Sequence, residues 1–274
     1  MDWKRAKTIL ILMFFILNIV LFAVLYQNLR VPGISDQTIE NTRTILGKNN
    51  VHIECPIPKY MGSDYMLKFE ETEIDKKRIV EGLLGNNYVE TGDTFVNGTE
   101  KLVFFNDCGF EYTDSGSNKK IYTQTKSEVD VFIKDLAKKI NIPMNEFQLD
   151  DFYSSGAGQG SNVVYKGVYG NYPIYDNYIE VEVGSVSIKS IKYHYKKPVS
   201  IMEREEVKVI PVYQILITRV TKYPGLTIKS VDLGFKAINM DKDTKTLYEE
   251  LSWRIKASNG KELYYNARNG EEMG

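Results

Sequence analysis

The chain has little of what catalytic and metal-binding proteins usually draw on: among 274 residues there are two cysteines and two histidines. Zinc requires three or four His, Cys or carboxylate ligands held together. His52 and Cys55 fall in one strand region, with only Cys108 and the distant His194 for company. A metal site is not expected, and His52 reads as an ordinary strand residue. Two cysteines also make no disulfide framework. A Cys55–Cys108 bridge is compatible with their expected place in one module, but separate buried thiols are the simpler reading. No Gly-x-Ser-x-Gly elbow and no His-Glu-x-x-His helix occurs, so no nucleophile, base and anion-stabilising set can be assembled. Neither an enzyme nor a cofactor is expected. A basic field is lacking too: beyond the amino-terminal leader, 32 basic residues face 35 acidic ones. That balance excludes nucleic acid as a partner.

Charge itself is missing from one segment. Thr8 to Tyr26 carries no charged residue and a single strongly polar side chain, Asn18. At about 1.5 Å of rise per residue, such a run reaches roughly the ~30 Å hydrocarbon core of a bilayer. Phe22-Ala23-Val24-Leu25-Tyr26-Gln27 offers no small-x-small cleavage site, and no cysteine follows for lipid attachment. The run is therefore expected to stay uncut as a membrane anchor. Lys4, Arg5 and Lys7 precede it and only Arg30 follows closely, which places the amino terminus in the cytoplasm. Residues 1–7 form a cytoplasmic leader and 8–27 the transmembrane helix. Residues 28–122 form a stalk and first extracytoplasmic module, and 123–274 a second module. At i, i+3, i+4 and i+7 spacing, Ile11, Phe14, Asn18, Leu21 and Leu25 share one stripe. Asn18 at the centre prefers a hydrogen-bond partner to lipid, which marks that stripe as a partner interface; bonding of its amide to its own helix is the alternative.

Outside the membrane, hydrophobic content of 43% fits a folded chain. Helical spacing predicts helices over Thr38–Gly47, Asp75–Leu84 and Ser127–Ile140. A further one is predicted over Glu203–Val220, kinked or starting late at Pro211. Alternation predicts strands over Val51–Ile57 with Tyr65–Glu70 as its antiparallel neighbour. It also predicts a hairpin of Tyr88–Val96 and Lys101–Tyr112 about Asn97-Gly98. Phe147–Tyr153, Asn162–Tyr169, Pro173–Val183 and Ser185–Lys196 read as a four-stranded antiparallel meander. Ile228–Ile238, Leu251–Ala257 and Glu262–Ala267 complete the strands. The small polar run Asp114–Lys120 is the expected boundary. The fold class is α+β: helix-on-antiparallel-sheet modules behind a single membrane helix.

Three smaller features have ordinary readings. Gly156-Ala157-Gly158-Gln159-Gly160 precedes a strand rather than a helix, so it reads as a hairpin loop and not a phosphate cradle. Asp150-Asp151 and Glu205-Glu206 are adjacent acids, which normally point different ways. The tyrosines from Tyr165 to Tyr195 are expected mostly to pack.

The opening Met1-Asp2-Trp3-Lys4, Lys7-Thr8-Ile9 and Ile16-Leu17-Asn18-Ile19 are followed much later by Pro173-Ile174-Tyr175-Asp176-Asn177. Ser252-Trp253-Arg254-Ile255 and Tyr264-Tyr265-Asn266-Ala267 come near the end. In this order and spacing they resemble the YycI (WalI) family over essentially the whole chain. The resemblance implies a single-pass accessory of Gram-positive bacteria that accompanies YycH and acts on the sensor histidine kinase YycG (WalK). Contacts among membrane helices would carry the effect, which bears on cell-wall metabolism. It also implies a two-module exterior related to part of YycH. The competing reading is a tethered receptor for a wall-derived ligand.

Overall fold

The computed structural model describes residues 3–29, 33–70, 72–105, 107–116, 125–154, 160–184, 187–237 and 248–273. The side chains of 4–6, 23–29, 154, 205 and 206 are outside that description. Helix α1 spans Trp3–Leu29 and α2 Asp36–Lys48, followed by β1 (His52–Ile53), β2 (Ser63–Glu70) and α3 (Lys76–Leu84). Strands β3 (Val89–Thr91), β4 (Thr94–Asn97), β5 (Glu100–Phe105) and β6 (Gly109–Asp114) precede α4 (Lys126–Lys139). Then come β7 (Phe147–Ser154), β8 (Ser161–Tyr169), β9 (Tyr172–Val183), β10 (Ile188–His194) and β11 (Lys197–Lys208). Helix α5 (Val212–Thr218), β12 (Thr227–Lys236), β13 (Tyr248–Ala257), β14 (Glu262–Asn266) and β15 (Glu272–Met273) finish the chain.

Local chemistry explains most of these boundaries. Ser35 caps α2 by accepting from the Thr38 amide, and Asp75 does the same for α3 through Arg78. Helix α4 is capped by Thr125. Thr125 accepts from the Glu128 amide while the Glu128 carboxylate turns back to Thr125, a reciprocal pair that ties off two helix-end donors. The Asn97-Gly98 turn closes β4 onto β5 with Asn97 opposite Glu100, and Gly98 takes φ +61°, where a side chain would be strained.

Among the described residues, every strand belongs to one mixed sheet. The meander β7-β8-β9-β10 is antiparallel, as its alternation predicts. Two parallel pairings, β1 with β12 and β9 with β12, correct the expectation of a purely antiparallel arrangement. The expected strand Val51–Ile57 shrinks to His52–Ile53 and pairs with β12, not with Tyr65–Glu70. Pro56 and Pro58 lack the amide donors a longer ladder would need. Arg43 of α2 instead donates to the carbonyls of Ile53 (3.0 Å) and Cys55 (2.7 Å). Strand β2 lies between β11 and β13.

The helix expected over Glu203–Val220 is also corrected. Residues up to Lys208 form the edge strand β11, and α5 begins only at Val212, with Pro211 as its N-cap. Pairing with β2 sets Arg204 opposite Asp64, and their ion pair is largely buried. That tertiary contact overrides a helical spacing that Pro211 had already weakened.

Two hydrophobic cores lie under the sheet, and neither is a continuous stretch of chain. One joins α3, β4–β6 and α4 to the meander through Leu83, Phe104, Phe110, Ile133, Tyr165 and Tyr193. The other joins α2, β2, α5 and β12–β14 through Leu46, Phe69, Leu216, Phe235, Trp253 and Tyr265. Helix α2, the first element after α1, thus packs into the core that holds the carboxy-terminal strands. The expected division near residue 122 falls in 117–124, outside the described residues. Trp253 is fully buried and its indole N–H donates to the Ile210 carbonyl (2.8 Å), meeting the requirement that a buried Trp find an acceptor.

Candidate functional site: a polar junction between two cores

The segment Pro173–Asn177 lies where β9 leaves β12 and takes up β10: Ile174 pairs with Phe235, and Tyr178 with His194. Each side chain here has a separate task. Ile174 is fully buried in the second core. The Tyr175 hydroxyl donates to Asp232 (2.6 Å). Asp176 accepts from the Ala237 amide (2.8 Å) and from Lys236 (3.2 Å). Asn177 closes a two-way bond with the Lys196 backbone, donating to its carbonyl (2.7 Å) and accepting from its amide (2.8 Å). Glycine is required where strands approach this closely: a Cβ on Gly234 would sit 2.4 Å from the Pro173 carbonyl oxygen.

Arg254 of β13 is the centre of the junction. Its guanidinium makes a bidentate pair with Asp150 of β7, both bonds at 2.7 Å. It also reaches Asp232 of β12 at 3.1 Å and covers the Tyr175 ring at 4.7 Å. Lys256 sits beside it, 2.8 Å from Asp150 and 2.6 Å from Asp151. Burial alone would push the Asp150 carboxyl up, but the bonds and charges of Arg254 and Lys256 outweigh it and hold it below the ordinary carboxylate range. A planar fork suits this bridge, which links a strand of the meander to strands of the second core.

Asp150 and Asp151 were expected to point apart. A register shift between Leu149 and Asp151 allows both carboxylates to reach one ammonium, as a bulge re-aims side chains. Asp150, Asp151 and Glu262 bring carboxylate oxygens within 4.8 Å of one another, and Lys256 contacts all three. Two cations already balance this acidic group, so it reads as a clamp rather than a catalytic pair.

A second buried acid behaves differently. Glu249 of β13 is fully buried, and neither carboxylate oxygen has a hydrogen-bond partner among the described residues. Burial, together with the nearby Asp176 charge, pushes its carboxyl up to about 8 against the pull of Lys196 and Lys236. Glu249 is therefore protonated at neutral pH. The composition of the sequence gives no sign of this, because only the pairing of β13 with β2 brings Glu249 inside.

The stripe predicted from the sequence lies elsewhere, on α1. Ile11, Phe14 and Leu21 are 68%, 66% and 50% exposed, and the Leu25 side chain is outside the description. The Asn18 amide donates to the Phe14 carbonyl at 2.8 Å, the in-helix bond foreseen as the alternative. One N–H and the carbonyl oxygen stay available. Among the described residues, no helix is long and apolar enough to cross a membrane; the described side chains of α1 end at Phe22, before the charge-free run ends at Tyr26. His52 is an exposed strand residue, and Cys55 and Cys108 are both free thiols.

Two of the motifs that carry the family resemblance converge with Pro173–Asn177 on this junction, through Arg254 and through Tyr264, whose ring meets that of Tyr175 edge-on at 5.1 Å. The model of the YycI protein family matches residues 32–268, so the match rests on the exterior part and not on α1. No curated protein matches the chain. Among solved structures, the chain is similar to the Bacillus megaterium YpeB C-terminal domain, with 10% identity and a TM-score of 0.40. The likeness covers 73% of this chain and 94% of that one. With most of its length matched, the chain belongs to the YycI family, a family of membrane-anchored, non-enzymatic regulatory proteins.

Proposed function

We propose that the protein is a single-pass accessory of a YycG (WalK)-like sensor histidine kinase. It acts through packing of helix 8–27 against kinase membrane helices, together with a YycH-like partner and with the carboxy-terminal part outside the cell. Family membership supports two-component regulation. The observation that carries the mechanism is α1: its apolar side chains from Ile9 to Phe22 are each at least half exposed. A helix apolar on all faces belongs in lipid or in a core, and none of these side chains is in a core. Only Asn18 breaks the apolar surface, so the stripe Ile11, Phe14, Asn18, Leu21 and Leu25 is the face that discriminates partners. Preferential packing against one signalling state of the kinase shifts its equilibrium.

Two chimaeras test this in cells by kinase-dependent transcription. Met1–Arg30 without the exterior should keep part of the regulation, and the full chain on an unrelated apolar helix should lose it. Asn18→Leu should weaken association with the kinase by on the order of 1 kcal/mol, read by crosslinking from single cysteines through residues 9–26. Full regulation from any apolar helix would end the proposal and leave a tether with an exterior receptor.

A further inference from the structure

A thiol and an imidazole meet beside the junction, and neither the clamp nor the membrane helix uses them. Cys108, in the turn between β5 and β6, places its sulfur 3.2 Å from Nε2 of His194 at the end of β10. The other ring nitrogen, Nδ1, lies 2.5 Å from the Asp176 carbonyl oxygen. A carbonyl can only accept, so Nδ1 carries the ring proton and the neutral ring leaves Nε2 as an acceptor aimed at the thiol. His194 is buried between the rings of Phe105 and Tyr178, whereas Cys108 is partly exposed. Nucleophile, base and orienting group are thus in line, the arrangement that activates a weak nucleophile. Cys55 is the contrast within the same molecule: it is buried in the second core, and among the described residues no histidine hydrogen-bonds its sulfur.

The geometry points to Cys108 as an oxidation site for small hydroperoxides, with His194 as its base. The thiol proton passes to Nε2 as sulfur attacks one peroxide oxygen. The O–O bond breaks, and the imidazolium returns the proton to the departing oxygen, giving water or an alcohol. Sulfur is oxidised by two electrons to a sulfenic acid and the peroxide is reduced by two. The new oxygen enters the contact between Cys108 and His194. Through the Asp176 carbonyl this adjoins the bonds that Asp176 makes to Lys236 and Ala237. The charged and titratable groups facing the pair are Asp107, Asp176, Lys196, Tyr178 and Tyr193. Burial pushes the Cys108 thiol up and the His194 imidazole down, so both rest neutral at pH 7 and the thiol depends on passing its proton to Nε2 during the attack.

The test treats the full chain in detergent with hydrogen peroxide and a sulfenic-acid trap, and reads both cysteines by mass spectrometry. Cys108 should be trapped at least about ten-fold faster than Cys55, and His194→Gln should slow Cys108 by a similar factor without changing Cys55. Equal rates at the two cysteines, or a Cys108 rate unchanged in folded His194→Gln, would overturn the assignment. Should that variant not fold, alkylation of the wild-type protein by iodoacetamide decides. A base-paired thiol gives a rate nearly flat from pH 9 down to the titration of His194. An unassisted thiol loses about ten-fold per pH unit below its own pKa, and that outcome refutes the proposal.

Discussion

Replacing Glu249 with glutamine should stabilise the protein at pH 8 and flatten the alkaline side of its stability profile. Glu249 keeps its proton in the folded state up to about pH 8, while its unfolded counterpart ionises near 4.5. Between those values the unfolded state binds fewer protons, so stability falls as pH rises. The slope approaches 1.4 kcal/mol per pH unit, and the whole window is worth several kcal/mol on an order-of-magnitude basis. Above about pH 8 both states are ionised and the slope vanishes. Glutamine has no such titration. Its buried amide is left as poorly bonded as the protonated acid, at about 1 to 3 kcal/mol for either, so the gain is expected at pH 8 and little change at pH 4. Denaturant unfolding of the full chain followed by Trp253 fluorescence between pH 4 and 9 measures this. Identical slopes for wild type and variant would mean that Glu249 finds a partner on folding.

Arg254→Ala should cost about 3 to 5 kcal/mol, because it removes the guanidinium from between Asp150 and Asp232, leaving Asp150 with Lys256 alone and Asp232 without its cation. The Arg254 and Asp150 side chains are 4% and 13% exposed, so water cannot replace the guanidinium well. Arg254→Lys should recover little, since a single ammonium cannot hold the bidentate bond to Asp150 and reach Asp232 together. Amide exchange should rise first in β7 and β8, whose link to the second core runs through Asp150. The acid limb should change as well. Asp150 has a depressed pKa in the folded state, so its contribution is present above the unfolded carboxylate pKa and is lost as pH falls through the folded one. Without Arg254 that acid-dependent loss should shrink. A cost below about 1 kcal/mol, with unchanged exchange in β7, would show that the two cores are held together without the clamp.

These predictions concern side chains that no pattern in the chain singles out as coupled. Asp150, Asp232 and Arg254 are far apart in sequence, and their meeting depends on β9 pairing with β12 at one end and β10 at the other. The bulge beyond Leu149, which sets Asp150 and Asp151 on one lysine, has no marker in a sequence of alternating residues. Glu249 falls before the strand predicted from Leu251 and Cys108 inside the one predicted over Lys101–Tyr112, with nothing to single out either. The motifs that carry the family resemblance were visible, but not their convergence. The misreading of Glu203–Lys208 has the same origin: its strand character comes from pairing with β2 and from the buried Arg204–Asp64 contact.

Signals that need only neighbours along the chain were legible in the sequence: the charge-free run from Thr8 to Tyr26, the Asn97-Gly98 turn and the antiparallel meander. They depend on helical rise, on donors a few residues away and on the two-residue period of a strand, all local in origin. What only the tertiary structure decided is which strands lie side by side, hence the parallel pairings, the two interleaved cores and the burial of Arg254 and Glu249. Those depend on contacts between segments distant in the chain, whose energy comes from removing both partners from water at once.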